Sequence, residues 1–160
     1  MEIESPLALL NKVWDSYKEE ERFPGAGGDM TEANANMNGP GVYGLEDKEG
    51  FAAITHFPME SIEKIDGAAT LMHMMNANTM TVGAYHLAEG TDAKALAGEL
   101  KESVLATQWM CGFPEKLVIA TVGDYMVSYF GKGEVVDPFT KKLKAAYPTV
   151  EVVAEEKIVG

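Results

Sequence analysis

Between residues 67 and 147 the chain runs strand, strand, helix, and then strand, strand, helix again. Residues 68–75 and 80–87 are apolar, β-prone segments on either side of Asn76-Ala77-Asn78-Thr79, where asparagine supplies the turn angles of a hairpin. Thr91 or Asp92 then caps a helix whose Leu96, Leu100, Val104 and Leu105 form one buried stripe, running on to about Trp109. Cys111-Gly112-Phe113-Pro114 breaks it. Residues 116–121 and 125–130 form the second pair, joined through Val122-Gly123-Asp124, with Val118, Val127 and Tyr129 as typical strand residues. Asp137-Pro138 starts a last helix that carries Phe139, Leu143 and Tyr147, and Pro148 ends it. This order predicts an α+β fold, a four-stranded antiparallel sheet of ββα-ββα architecture with helices packed on one face. Identity between the two halves is negligible, so the repeat is read as architecture and not as duplication. Residues 149–160 are a short strand over 150–153 or a frayed tail.

In front of this body, Ser5-Pro6 opens a helix, serine as the cap and proline at the first helical position. Leu7, Leu10, Val13, Trp14 and Tyr17 form its apolar stripe, which is expected to cover the same sheet, and Phe23-Pro24 stops the helix. Residues 24–44 are a long loop rich in glycine and asparagine, a length that is often functional or mobile. A short helix over 46–56 ends at Phe57-Pro58, and a turn at 59–65 leads into Asp66-Gly67. The 160 residues are read as one domain: an acidic helix-and-loop segment at 1–66, the body at 67–147, and a tail at 148–160.

Charge narrows the functional classes. Acids outnumber bases 25 to 13, a net of −12, which argues against a nucleic-acid partner because phosphate recognition needs clustered lysine and arginine. The excess is uneven: residues 1–66 carry 14 acids and 5 bases, and residues 67–160 carry 11 acids and 8 bases. Arginine occurs once, at Arg22, so bidentate recognition of phosphate or carboxylate has little to work with. The single cysteine, Cys111, excludes an intramolecular disulfide and Cys-rich zinc sites. No run approaches the roughly 18 apolar residues of a membrane span. The opening Met-Glu-Ile-Glu-Ser-Pro has neither a basic region nor an apolar one, so no signal peptide is read in this numbering.

Three constellations are candidates for chemistry. Asn34-x-Asn36-x-Asn38-Gly39 has the oxygen spacing and central glycine of a calcium loop, and Asp29 and Glu32 lie nearby. The first and twelfth positions are Asn34 and Leu45, without the charges that give affinity, so the stretch is read as a turn-rich loop. Met72-His73-Met74-Met75, with Met80 and His86, offers soft donors suited to copper(I). Strand alternation puts Met72 and Met74 on one face and His73 and Met75 on the other, so core packing is the reading. Trp109-Met110-Cys111-Gly112 places its thiol at a helix C-terminus, where the dipole disfavours thiolate; Cys111 is read as a buried structural residue. His56, His73 and His86 are scattered, with no nucleophile spacing, and the phosphate-loop, dinucleotide, nucleophile-elbow and zincin motifs do not occur. No catalytic, cofactor or metal residue is assigned.

Met74-Met75-Asn76, the following strand and capped helix, Gly-Phe-Pro, and then Val-Gly-Asp-Tyr-Met-Val-Ser-Tyr-Phe-Gly carry a resemblance. Over residues 59–147, and in the Leu-Leu-Asn-Lys-Val-Trp helix at 9–14, the chain resembles a family of uncharacterised exported proteins of gut Gram-positive bacteria. Many of these are lipoproteins, and some are labelled bacteriocin transport accessory protein. The chain departs from many relatives in lacking basic residues along the 92–109 helix. The resemblance implies an extracellular, surface-held location through a lipid anchor outside this numbering, and it supplies no catalytic residues.

The expected function is therefore a non-enzymatic exported accessory or interaction domain, whose partner is another protein or a cell-envelope component. Two alternatives stay open. One is a module that binds a small ligand or metal ion, with the 24–44 loop as a lid over the sheet. The other is a hydrolase or redox enzyme using Cys111 and a histidine.

Overall fold

A computed structural model describes residues 3–29, 31, 34–46, 48–74, 79–106 and 114–158. The expected turn residues Asn76, Ala77 and Asn78 lie outside the described residues, as do Met75, Glu32 and the whole Trp109-Met110-Cys111-Gly112 segment. The fold is α+β, built on one antiparallel sheet. Its strands are β1 (Gly25–Ala26), β2 (Gly41–Val42), β3 (Ile65–His73), β4 (Met80–Leu87), β5 (Lys116–Val122), β6 (Tyr125–Gly131) and β7 (Glu151–Lys157). Among the described residues four α-helices accompany them: α1 (Pro6–Asp15), α2 (Lys48–Thr55), α3 (Ala93–Leu105) and α4 (Gly133–Ala146).

The strand order is β1-β3-β4-β6-β5-β7, with β2 pairing further along the outer edge of β3. The four-stranded expectation is thus corrected to a sheet of seven strands among the described residues. Two extra strands come from the glycine–asparagine loop: Gly25 and Ala26 pair with His73 and Met72, and Gly41 and Val42 pair with Thr70 and Ala69. They satisfy backbone groups that an open β3 edge would leave to water. The third is β7, which pairs with β5 along its length, so the tail is a strand and not frayed.

The single helical face is also corrected. Alternate strand residues separate two cores. Leu71, Val82, Val118, Val127 and Tyr129 pack with Leu9, Leu10, Val13 and Trp14 of α1 and with Val136, Phe139 and Leu143 of α4. On the other face Tyr85, Leu117, Ile119, Met126 and Phe130 pack with Phe51 of α2 and with Leu96, Leu100 and Val104 of α3. Because α3 and α4 lie on opposite faces, no two-fold about the sheet normal superposes the two strand-strand-helix units. The repeat is not present in space.

The helix starts follow from their caps. The Ser5 hydroxyl accepts from the Ala8 amide at 3.0 Å, and the Asp92 carboxylate accepts from the amides of Lys94 at 3.0 Å and Ala95 at 3.3 Å. Helix α4 begins at Gly133, ahead of the expected Asp137-Pro138 start, because its first amide donates to Glu115 Oε1 at 2.8 Å from outside the helix. Pro138 therefore sits inside α4. No described helix is long and apolar enough to cross a membrane.

Candidate binding cleft

Helix α1 stops at Asp15, where the Ser16 hydroxyl turns back to donate to the Val13 carbonyl at 2.6 Å. A short 3-10 turn, Glu19–Glu21, then redirects the chain, and Phe23-Pro24 delivers it to β1. Trp14 and Tyr17, one helical turn apart, are left side by side with ring centroids 5.4 Å apart. Phe23 meets both edge-on, at 5.0 Å and 6.3 Å, and the His73 ring stacks on Phe23 at 5.7 Å. Such offset and edge contacts add to the area these rings bury.

Two cations rest on this aromatic wall. The Arg22 guanidinium lies 5.1 Å from the Trp14 ring, and its Nη2 donates to the Trp14 carbonyl at 3.2 Å. Lys142 reaches over from α4, 4.9 Å from the Tyr17 ring, and pairs with Glu21 at 3.1 Å. In front of the wall is a cleft of about 590 Å³, lined by Trp14, Tyr17, Arg22 and Phe23, with Met37 and Met74 at its rim. These two methionines are 65% and 46% exposed, among the most exposed large apolar side chains of the described residues. Two polar atoms of the wall, Trp14 Nε1 and Tyr17 Oη, are buried without a hydrogen-bond partner among the described residues. Burial, with the charges of Tyr129 and Glu21, pushes the Tyr17 phenol well above its ordinary range.

The loop that carries Met37 is fixed from within. Gly27 and Asn36 exchange backbone hydrogen bonds at 2.9 Å and 3.0 Å, and the Gly28 amide donates to Thr70 Oγ1 at 2.9 Å. A side chain at Gly27 would place its Cβ 2.1 Å from the Thr70 carbonyl oxygen, so only glycine allows this approach. Asp29 is the centre of the loop. Its carboxylate accepts from the Thr31 hydroxyl and amide, from Asn34 Nδ2 at 3.0 Å and from the Gly44 amide at 2.8 Å. These donors, the Thr31 hydroxyl first, hold the carboxyl down at about 2.

The calcium spacing resolves into this arrangement. Asn34 donates to Asp29, Asn36 Nδ2 donates to the Pro40 carbonyl at 3.0 Å, and Asn36 Oδ1 accepts from the Asn38 amide at 3.0 Å. The asparagines close turns, and the loop is tied to the β3 edge instead of lying over the sheet as a lid. The soft-donor set is split. Met80 is fully buried in the core, and Met74 lies on the cleft rim. His86 sits beside Gly67, and His73 is six residues further along β3, roughly 20 Å away at strand rise. His86 Nδ1 pairs with Asp66, and its ring meets Tyr125 edge-on at 4.9 Å. His56, on the opposite face, follows α2 with a φ of 59° and packs edge-on against Phe130 at 5.4 Å. Burial lowers both His56 and His73 from the ordinary histidine value. Among the described residues no three His, Cys, Asp or Glu side chains gather as a metal site.

The sequence does not present this cleft as a site, because Trp14 and Tyr17 read as members of an apolar stripe. The signal that points to it is the placement of the chain's only arginine directly before Phe23-Pro24.

No family model matches the chain, and no curated protein or solved structure is significantly similar to it.

Proposed function

We propose that the protein is a non-catalytic exported binding domain that receives the apolar group of a small ligand in the cleft between α1 and the 24–44 loop. The observation that carries this reading is the pair of exposed methionines over an aromatic wall. A folded chain gains by burying Met37 and Met74, yet both stand open at the rim of one cleft. Thioethers on unbranched, flexible stems adapt to varied apolar surfaces and are over-used where proteins bind ligands. The cleft volume of about 590 Å³ falls within the range usual for small-molecule sites, about 300–1,000 Å³. The accessory role and the surface location rest on the resemblance over residues 59–147, and the ligand reading fits within them.

The test uses methyl-labelled methionine and two neutral probes, indole and cyclohexanol, followed by NMR. Met37 and Met74 are expected to shift together and saturably. Met59, exposed to 46% but outside this cleft, serves as the control and stays in place. Unmoved Met37 and Met74 signals, or a Met59 shift of the same size, would remove the cleft as a binding site.

A further inference from the structure

Two residues that line the cleft carry buried donors without acceptors among the described residues. Trp14 and Tyr17 are 4% and 6% exposed, and their Nε1–H and Oη–H groups have no partner among the described residues. A buried donor without a partner costs roughly as much as a lost hydrogen bond, so two in one wall call for a cause. Trp14 Nε1 faces the bare backbone of Gly39, 3.1 Å from where a Cβ there would stand. Gly39 follows Met37 and Asn38, which line the cleft.

Arg22 adds the charge. It uses Nη2 on the Trp14 carbonyl, and its Nε and Nη1 donate to nothing among the described residues. Its ion-pair partner Asp15 stands 3.7 Å away with 75% of its side chain exposed, a contact that an incoming anion displaces at little cost. A guanidinium with open donors beside an apolar cleft matches a carboxylate in fork geometry. Glu19 lines the same cleft and is the opposing charge.

We infer that the cleft takes a small carboxylic acid with an aromatic or aliphatic body. The carboxylate docks on Arg22, and the body lies between Met37, Met74 and the Trp14–Phe23 wall. This rests on the binding reading above and adds the class of ligand.

The test compares three probes with one body: indole-3-propionate, indole-3-propionamide and tryptamine, by calorimetry and by the methionine methyl shifts. The acid is expected to bind at least about tenfold more tightly than the amide. Raising salt from about 20 to 500 mM is expected to erode the acid's advantage and leave the amide's affinity in place. In Arg22→Gln the acid and amide converge to within about twofold, and Arg22→Lys keeps part of the preference, because charge without the fork survives. Thermal melts establish that each variant is folded, and if Arg22→Gln does not fold, the salt series on the unaltered protein tests the same charge dependence. Equal binding of acid and amide, or tighter binding of tryptamine, overturns the acid inference and leaves the cleft reading standing. Binding of none of the three overturns both.

Discussion

Gly83 lies in the middle of β4, directly beneath the ring of Tyr85 on the face that carries α2 and α3. A Cβ added at Gly83 would stand 2.1 Å from Tyr85 Oη and 2.7 Å from its Cζ. The hydroxyl would have to retreat by more than about 1 Å to reach ordinary contact. It has nowhere to go. Tyr85 is fully buried, its ring is held edge-on by Phe51 at 5.7 Å and by Phe57 at 5.0 Å, and its Oη is bonded to Ser128 Oγ at 2.9 Å. The same burial pushes the phenol up to about 12. Gly83→Ala therefore forces overpacking, which costs about 1–3 kcal/mol. It also breaks the Tyr85–Ser128 bond, and the unsatisfied hydroxyls cost about 1–3 kcal/mol more. Alanine recovers about 0.5–1 kcal/mol of the backbone entropy that glycine loses in a strand. The net loss is about 1–5 kcal/mol, a large share of a total stability of about 5–15 kcal/mol. Urea unfolding followed by circular dichroism measures it. In a Tyr85→Phe background the nearest clashing atom and the hydrogen bond are gone, so the alanine penalty should shrink by about 1–3 kcal/mol without vanishing, since the ring carbon remains. A Gly83→Ala protein within about 0.5 kcal/mol of the parent, or a penalty equal in both backgrounds, would refute the reasoning.

Asp29→Ala removes one acceptor of several loop hydrogen bonds and should cost about 1–3 kcal/mol in urea unfolding, with Met37 shifting most among the methionine methyls. Because Asp29 is held at about 2, below its unfolded value, the stability it contributes is present above about pH 4 and is lost as pH falls toward 2; an acid titration of the variant should lack that component. His56 and His73 are lowered by burial, so below about pH 6.5 the unfolded chain takes up protons that the folded one refuses. Stability should therefore be flat above that pH and fall on acidification toward pH 5, and a His56→Gln, His73→Gln double variant should flatten the fall in urea midpoints. Glu115→Ala uncaps α4 and should cost about 1 kcal/mol, read in the same unfolding assay.

The legible parts of the fold are those set by neighbours in sequence. Ser5 and Asp92 cap the helices that their positions indicate, and β4 runs over the residues that its pattern marks. What is not legible depends on distant partners. The α4 start is fixed by Glu115, which lies eighteen residues before Gly133, so the local Asp137-Pro138 signal misleads. Strand β3 begins at Ile65 and not at 68, because a register shift between Ile65 and Gly67 absorbs a stretch that reads as a turn. Strands β1 and β2 have two residues each, too few for any periodicity, and exist only because the β3 edge is there to pair with. The β7 segment, rich in glutamate, reads as a tail because nothing in it shows that Glu155 and Glu156 will meet Lys116 and Lys101. The second helical face does have a signal in the sequence. Strand β6, Tyr125–Gly131, is buried at every position, and its apolar run, interrupted only by Ser128, is the mark of a strand covered on both sides.

Charge at the site depends on placement more than on sums. A net of −12, concentrated in residues 1–66, reads as a solvated acidic surface when only signs are added. In the structure the same segment sorts its charges by what satisfies them. Asp29 is consumed as the pin of the loop, and Glu21 is held by Lys142 and the Lys18 amide. Arg22, alone of its kind, keeps donors in reserve beside an apolar cleft. Composition makes a single arginine look too little for anion recognition, because a count carries no information about whether a group is already engaged. One guanidinium with its fork half open beside an apolar cleft has more to offer an anion than several lysines already paired with glutamates.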